Sequence, residues 1–253
     1  MPQPAPTVSK AAVDLIVGQE VTSQAAYERE LEAPTWPGGA SGITIGIGYD
    51  IGYVSSADFT ADWSGLLPVS VMARLRNCVG VTGSQARALL SSLSDIRIPW
   101  EAALSNFEHA ALPRTVLATI RTFPASVFLS PDSFGALVSL VYNRGTDISD
   151  TPWRREMHQI AGAIQDGNVA AVPPLIRQMK QIWEDDDGHP LPGFAGLVTR
   201  RELEADLFDR GLEETYDEIA FEPTTAPDSL SALRARADQL DAAIEAATRT
   251  AAP

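Results

Sequence analysis

The most restrictive feature of the chain is a run of alternating isoleucines and small residues at positions 42–50, set in a sequence whose other apolar residues follow helical spacing. Alternation with a period of two is typical of a β-strand, because successive side chains of a strand point to opposite faces. The interspersed glycines allow the backbone to turn sharply. Residues 42–50 therefore predict a short strand or hairpin, and the whole chain an α+β, mainly helical fold.

Helical patterns occupy the chain on either side of this segment. Ser9 suits the N-cap of a first helix that extends to about Gln24, and Glu20 lies toward the C-terminal end of that helix. Residues 132–143 are almost wholly apolar, which predicts a buried central helix. Further helices are predicted at residues 69–77, 84–94, 99–107, 113–123, 153–166, 168–183 and 199–211.

Prolines and glycines mark several of the predicted helix ends. Pro99 and Pro113 suit first helical turns, where a missing backbone donor has little effect. Gly211 suits a C-cap, because the residue after a helix often takes a left-handed conformation. These residues predict where three of the helices begin or end.

The predicted organisation is a tail at residues 1–8, one domain at 9–220 with its hairpin lobe at about 20–65, and a linker at 221–228. A final helix at 229–250 carries apolar residues at alternating steps of three and four, over about two heptads. This short apolar stripe either packs back on the domain, or serves self-association or docking on a delivery partner.

Charge and cysteine content exclude several classes of function. Acidic residues outnumber basic ones by 33 to 19, giving a formal net charge of -14, so nucleic acid is not an expected partner. The single cysteine, Cys78, cannot form an intramolecular disulfide. The start of the chain lacks a signal-peptide pattern and no run is long enough to insert in a membrane, so we expect synthesis in the cytoplasm.

Three side chains in and before the hairpin carry the candidate chemistry. Glu20 near a helix end and Asp50 on a polar loop can form an acid and an ionised partner, and Thr44 can hold a water. Asp50 can equally cap its own turn, and acidic residues in 28–32 compete with it as the second carboxylate. The three histidines show no paired ligand spacing, so we predict no metal and no cofactor.

Four segments together resemble the phage-type lysozymes, glycoside hydrolase family 24. Residues 42–50 are similar to the signature hairpin of that family, and residues 15–20 to the helix end that bears its catalytic glutamate. Residues 136–143 are similar to its central buried helix, and residues 196–208 to its closing helix. The resemblance covers roughly residues 13–208, and it implies a two-lobed lysozyme-like fold with a small β-hairpin lobe and a larger helical lobe.

The chain departs from the common family pattern at two positions. Common members carry an aspartate and a histidine where this sequence has Gly38 and Tyr49. The order Glu20, Thr44, Asp50 resembles the pesticin branch of muramidases instead. The resemblance then implies Glu20 as general acid, Thr44 as the residue that positions water, and Asp50 as the second carboxylate.

The activity implied by the resemblance is cleavage of the β-1,4 bond between N-acetylmuramic acid and N-acetylglucosamine in bacterial peptidoglycan. The expected substrate contacts are stacking of Tyr49, Trp36 and Tyr53 on sugar faces and a bond from Asn143 to an acetamido group. The aromatic rings can equally pack in the core, and Asn143 can instead cap its helix. The enzyme would reach the wall through a holin, a secretion system or a phage particle. The alternative is a lysozyme-like wall-binding or phage-particle component without turnover.

Overall fold

The computed structural model describes residues 6–218, with side chains through residue 213. Most of these residues are helical, and a single two-stranded antiparallel sheet lies among them, which confirms the predicted α+β, mainly helical class. The chain forms two compact units, residues 13–116 (the hairpin unit) and residues 117 onward together with those before 13 (the second unit). Over residues 6–218, no helix combines the length and apolar character that crossing a membrane requires.

The hairpin unit combines the sheet with short helices. Its elements are α1 (Lys10–Val21, which begins before the unit), α2 (Gln24–Glu30), β1 (Thr44–Ile45), β2 (Tyr49–Asp50), α3 (Ser56–Trp63), α4 (Val69–Arg76), α5 (Gly83–Leu89), α6 (Trp100–Asn106) and α7 (Leu112–Thr122, which ends beyond it). Tyr27, Ile43, Ile45, Phe59 and Trp63 are among its fully buried side chains. The core of this unit therefore lies beneath the hairpin and against α2 and α3.

The first helix begins as predicted and ends earlier. The hydroxyl of Ser9 accepts the Ala12 N–H at 3.1 Å, which confirms the N-cap. The helix stops at Val21 because Thr22 has a φ of 64°, in the left-handed region. Ser23 then caps α2, which begins at Gln24, so the first helix ends three residues before the predicted end at about Gln24.

The hairpin turns through a three-residue loop. Ile45 pairs with Tyr49 across it, and the loop glycines Gly46 and Gly48 have φ values of 58° and 71°. Those left-handed conformations are open to glycine at little cost and are strained for other residues. Ile47, between them, is buried, so the alternation that predicted the hairpin also anchors it in the core.

Pro113 lies inside a continuous helical run and not at a helix start. Residues 100–122 are helical throughout, and Phe107–Ala111 form a π-helical turn just before Pro113. A proline inside a helix removes one backbone donor and collides with the preceding turn. The wider π turn accommodates that loss. Helix α7 (Leu112–Thr122) therefore matches the predicted helix at 113–123 within one residue, but it continues from the π turn and has no free start at Pro113.

The regular elements of the second unit, over its described residues, are all helices. Its elements are α8 (Pro131–Arg144), α9 (Arg155–Gln165), α10 (Val172–Gln178) and α11 (Ala195–Glu218). Helix α8 is buried from Asp132 to Val141, which confirms the predicted central helix. Beside it, Glu204 of α11 is fully buried and pairs with Arg200 and Arg201.

The C-cap prediction at Gly211 was wrong. Helix α11 continues through Gly211 to Glu218. A Cβ at this position would collide with Ser130 and Ser133 at the start of α8, so the glycine permits close contact between the two helices. The predicted linker at 221–228 and final helix at 229–250 lie outside the described residues.

Candidate functional site

Thr44 and Asp50 lie directly opposite each other in the hairpin. They are partners in the register of β1 and β2, while the backbone N–H and C=O of Thr44 both bond to Thr35, at 2.8 and 2.9 Å. Thr44 and Asp50 are therefore a non-hydrogen-bonded pair, in which the Cα atoms lie about 4.5 Å apart and the side chains share one face. The fold thus brings together two of the three predicted catalytic residues.

The carboxylate of Asp50 is fixed by two backbone donors. Oδ2 accepts the N–H of Gly42 at 3.0 Å, and Oδ1 accepts the N–H of Gly52 at 2.8 Å. A Cβ on Gly42 would lie 2.5 Å from the backbone nitrogen of Gly52, so the two glycines allow the strands to close around the carboxylate. Asp50 therefore caps the turn at Ile51–Tyr53, which confirms the turn-cap alternative as a contact.

The hydroxyl of Thr44 differs from the carboxylate of Asp50 in having no such engagement. Thr44 is half-buried, and within residues 6–218 its hydroxyl makes no hydrogen bond to protein. An unengaged hydroxyl beside a fixed carboxylate offers one donor and several acceptors, which is what an ordered water needs. The face of the hairpin that bears Thr44 and Asp50 is called the hairpin site below.

Glu20 belongs to the same compact unit as the hairpin site. It is half-buried and is the penultimate residue of α1. Two residues later, Thr22 is the only residue other than glycine with a positive φ in the described chain. A β-branched residue in this conformation is strained, and such strain is concentrated at functional sites.

Two of the three acidic residues in 28–32, Glu28 and Glu30, lie on a solvated face, and the third, Glu32, is half-buried. Glu28 is exposed on α2 and accepts a bond from Gln24 at 2.7 Å. Glu30, also exposed, pairs with Arg29 at 2.7 Å. These contacts match an ordinary charged helix surface, so Asp50 stays the proposed second carboxylate.

Tyr49 lies on the opposite face of the hairpin from Thr44 and Asp50. Its ring packs edge-on against Trp63 at 5.5 Å, and its hydroxyl donates to Asp62 at 2.6 Å. Burial, together with the Asp62 carboxylate, raises the pKa of Tyr49. Both ends of this side chain are engaged within the protein, so the structure gives Tyr49 a supporting position behind the hairpin site and not one on its surface.

Asp62 is a buried carboxylate that the sequence analysis missed. Its side chain is 7% exposed, and it bonds to Arg114 at 2.5 Å as well as to Tyr49. The two ends of this ion pair are 52 positions apart in the sequence. The only local signal is an aspartate immediately before the buried Trp63 in α3, which is too common a pattern to identify a pair.

Two other predicted contact residues, Trp36 and Tyr53, donate hydrogen bonds to the backbone of the loop at 36–42. The indole nitrogen of Trp36 donates to the carbonyl of Ser41 at 3.0 Å, and the hydroxyl of Tyr53 donates to the carbonyl of Ala40 at 2.7 Å. The residue Tyr53 as a whole is nevertheless 67% exposed. This loop leads directly into Gly42, so two anchored aromatic side chains adjoin the hairpin site.

Asn143 lies in the second unit, near the end of α8. Its Oδ1 accepts a bond from Arg201 at 3.0 Å. That bond fixes the amide so that its NH₂ group is left to donate. Asn143 belongs to a different compact unit from the other predicted site residues.

A possible set of metal ligands lies in the exposed loop before α11. Asp185, Asp187 and His189 each offer one ligand atom, and these atoms lie within 4.8 Å of one another. Asp185 Oδ1 also accepts the backbone N–H of His189 at 2.8 Å, which is an ordinary turn contact. The sequence prediction of no metal stays a prediction.

The fold and the hairpin site define a mainly helical α+β protein with a threonine and a carboxylate paired on one face of a small hairpin. No family model matches the chain. No curated protein matches it either. Among solved structures the chain is similar to the active form of the P1 phage endolysin Lyz, with 18% identity over 81% of this chain and 86% of that one, and a TM-score of 0.45. A likeness of this size carries no assignment of activity.

Proposed function

We propose that the protein is a peptidoglycan hydrolase of the lysozyme kind, which cleaves the β-1,4 bond between N-acetylmuramic acid and N-acetylglucosamine. The observation that carries the proposal is the pairing of Thr44 with Asp50 on one face of the hairpin. The ordered resemblance of four segments to the phage-type lysozymes gives the third residue, Glu20, and the class of substrate.

The proposed reaction uses the three residues in separate roles. Glu20 donates its proton to the glycosidic oxygen as the bond from that oxygen to the anomeric carbon breaks. The Thr44 hydroxyl and the Asp50 carboxylate hold a water that adds to the anomeric carbon, and the Asp50 carboxylate takes the proton that the water loses. A water held on the protein in this way favours inversion at the anomeric carbon.

The proposed substrate contacts follow the accessibility of each side chain. Trp36 and Tyr53 are anchored through their polar ends and can present ring faces to sugars, as aromatic platforms do. Asn143 can donate to an acetamido oxygen through the NH₂ group that Arg201 leaves unused. Tyr49 is buried behind the hairpin with its hydroxyl on Asp62, so the proposal gives it no contact with the sugar.

The test is release of reducing sugar ends from purified peptidoglycan by the wild type, by Glu20→Gln and by the matched control Glu28→Gln. Removal of a general acid lowers the rate by at least about a hundredfold. Glu28 is exposed on α2, so its variant keeps the wild-type rate. Absence of sugar release by a folded wild type, or full activity of Glu20→Gln, rejects the proposal.

One observation favours a second candidate, a lysozyme-like wall-binding component without turnover. Both oxygens of Asp50 already hold backbone donors, so the carboxylate serves the turn whether or not it serves chemistry. This candidate predicts that the wild type sediments with purified wall while releasing no reducing ends. For both candidates we propose that a holin, a secretion system or a phage particle delivers the protein to the wall. We also propose, for both, that residues 229–250 serve self-association or bind a delivery partner.

A further inference from the structure

One arginine of the hairpin unit differs from all the others in its contacts. Residues 13–116 contain no lysine and six arginines. Five of the six guanidinium groups bond to a carboxylate, a hydroxyl or a backbone carbonyl: Arg29, Arg74, Arg76, Arg97 and Arg114. The sixth, Arg87, makes no hydrogen bond or ion pair within the described residues, and its Cζ lies 5.6 Å from the ring centroid of Trp36.

The position of Arg87 is fixed by backbone pairing. The N–H of Gly83, at the start of α5, donates to the carbonyl of Ser41 at 2.9 Å, and Gly42 forms an antiparallel bridge with Thr82. Arg87 lies one helical turn after Gly83, which places it above the same loop that Trp36 closes. The stacked arginine therefore belongs to the framework that holds the hairpin site.

An arginine stacked on an indole keeps its five N–H groups free to bond in the plane of the guanidinium. That planar fork matches a carboxylate in a bidentate manner, and the cation–π contact reduces the freedom that binding would otherwise remove. Arg87 is exposed, and within the described residues no carboxylate, hydroxyl or carbonyl occupies its N–H groups. Its chemistry fits an anionic ligand from outside the chain.

We propose that Arg87, together with Trp36 and Tyr53, forms a carboxylate subsite beside the hairpin site. The occupant is a free carboxylate on the peptide stems of the wall glycan, held by Arg87 while the aromatic rings contact the adjoining sugar or peptide. This inference rests on the proposed function for the identity of the polymer. The subsite gives an acidic protein a local attraction for an anionic polymer, and it selects peptidoglycan over neutral glycans of similar backbone.

The test compares native peptidoglycan with the same wall after its carboxyl groups have been converted to neutral methylamides. Binding is measured by sedimentation with each wall in the Glu20→Gln background, which prevents digestion during the assay. We expect Arg87→Gln to lower the affinity ratio of native to methylamidated wall about fivefold, the upper range for an exposed ion pair. The matched control is Arg76→Gln, which removes the same charge from an exposed site and keeps the ratio unchanged.

The outcomes separate this inference from the proposed function. An unchanged ratio in Arg87→Gln, with wild-type thermal stability, overturns the subsite. An equal fall in Arg76→Gln also overturns it, because the effect would then come from net charge. Sugar release without any dependence on Arg87 leaves the hydrolase and rejects the subsite, whereas an Arg87-dependent ratio without sugar release supports the subsite on a wall-binding protein.

Discussion

At the scale of single residues, the most unusual backbone conformation lies beside the proposed general acid. Thr22 has a φ of 64° and is exposed, two residues after Glu20. No propensity rule predicts a left-handed threonine, because it follows from the meeting of two capped helices and not from the residue itself. The strain is therefore a property of the junction between α1 and α2.

This strain predicts that Thr22→Gly stabilises the protein. A non-glycine residue in the left-handed region destabilises the folded state by about 1–2 kcal/mol. Glycine removes this strain, but it also makes the unfolded chain more flexible, which offsets about half of the stabilisation. We expect the free energy of unfolding to rise by about 0.5–1 kcal/mol in urea denaturation. Ala73→Gly, at an exposed helical position of α4, should lower it by about 1 kcal/mol. Destabilisation by Thr22→Gly would show that Thr22 is not strained.

At the scale of elements, patterns of burial were predictable and contacts between distant segments were not. The period-two isoleucines identified the hairpin, and the apolar run identified α8 to within a residue or two. The π turn before Pro113 arises from a proline inside a helix, whereas the sequence pattern shows only a proline suited to a start. The pair of Asp62 with Arg114 depends on how α3 and α7 meet, which no local pattern records.

The packing of α8 against α11 gives the prediction at this scale. Gly211→Ala places a methyl group where Ser130 and Ser133 already lie, so the helices must separate. Overpacking of this kind lowers the free energy of unfolding by about 1–3 kcal/mol. Gly196, in the same helix with open space around its Cα, is the matched control. Gly196→Ala should be neutral or stabilising by up to about 1 kcal/mol. Equal stability of the two variants in urea would exclude close packing at Gly211.

At the scale of the whole molecule, two electrostatic effects oppose each other. The net charge of -14 repels an anionic wall at a distance, while the proposed subsite at Arg87 attracts a carboxylate at contact. Long-range repulsion depends on the summed charge and acts on the rate of encounter. Contact at a single arginine acts on the lifetime of the complex. Composition alone shows the first effect, and only the structure shows an arginine left available for the second.

The different distances over which the two effects act predict how salt changes the rate of association with the wall. The Debye length falls from about 30 Å at 0.01 M salt to about 8 Å at 0.15 M, which screens the summed charge far more than a contact pair. Association of the Glu20→Gln protein with native peptidoglycan should therefore become faster over this range, and association with methylamidated wall should change little. Stopped-flow light scattering at several salt concentrations measures both rates. A slower association with native wall at higher salt would mean that local cations, and not the net charge of the molecule, control the approach.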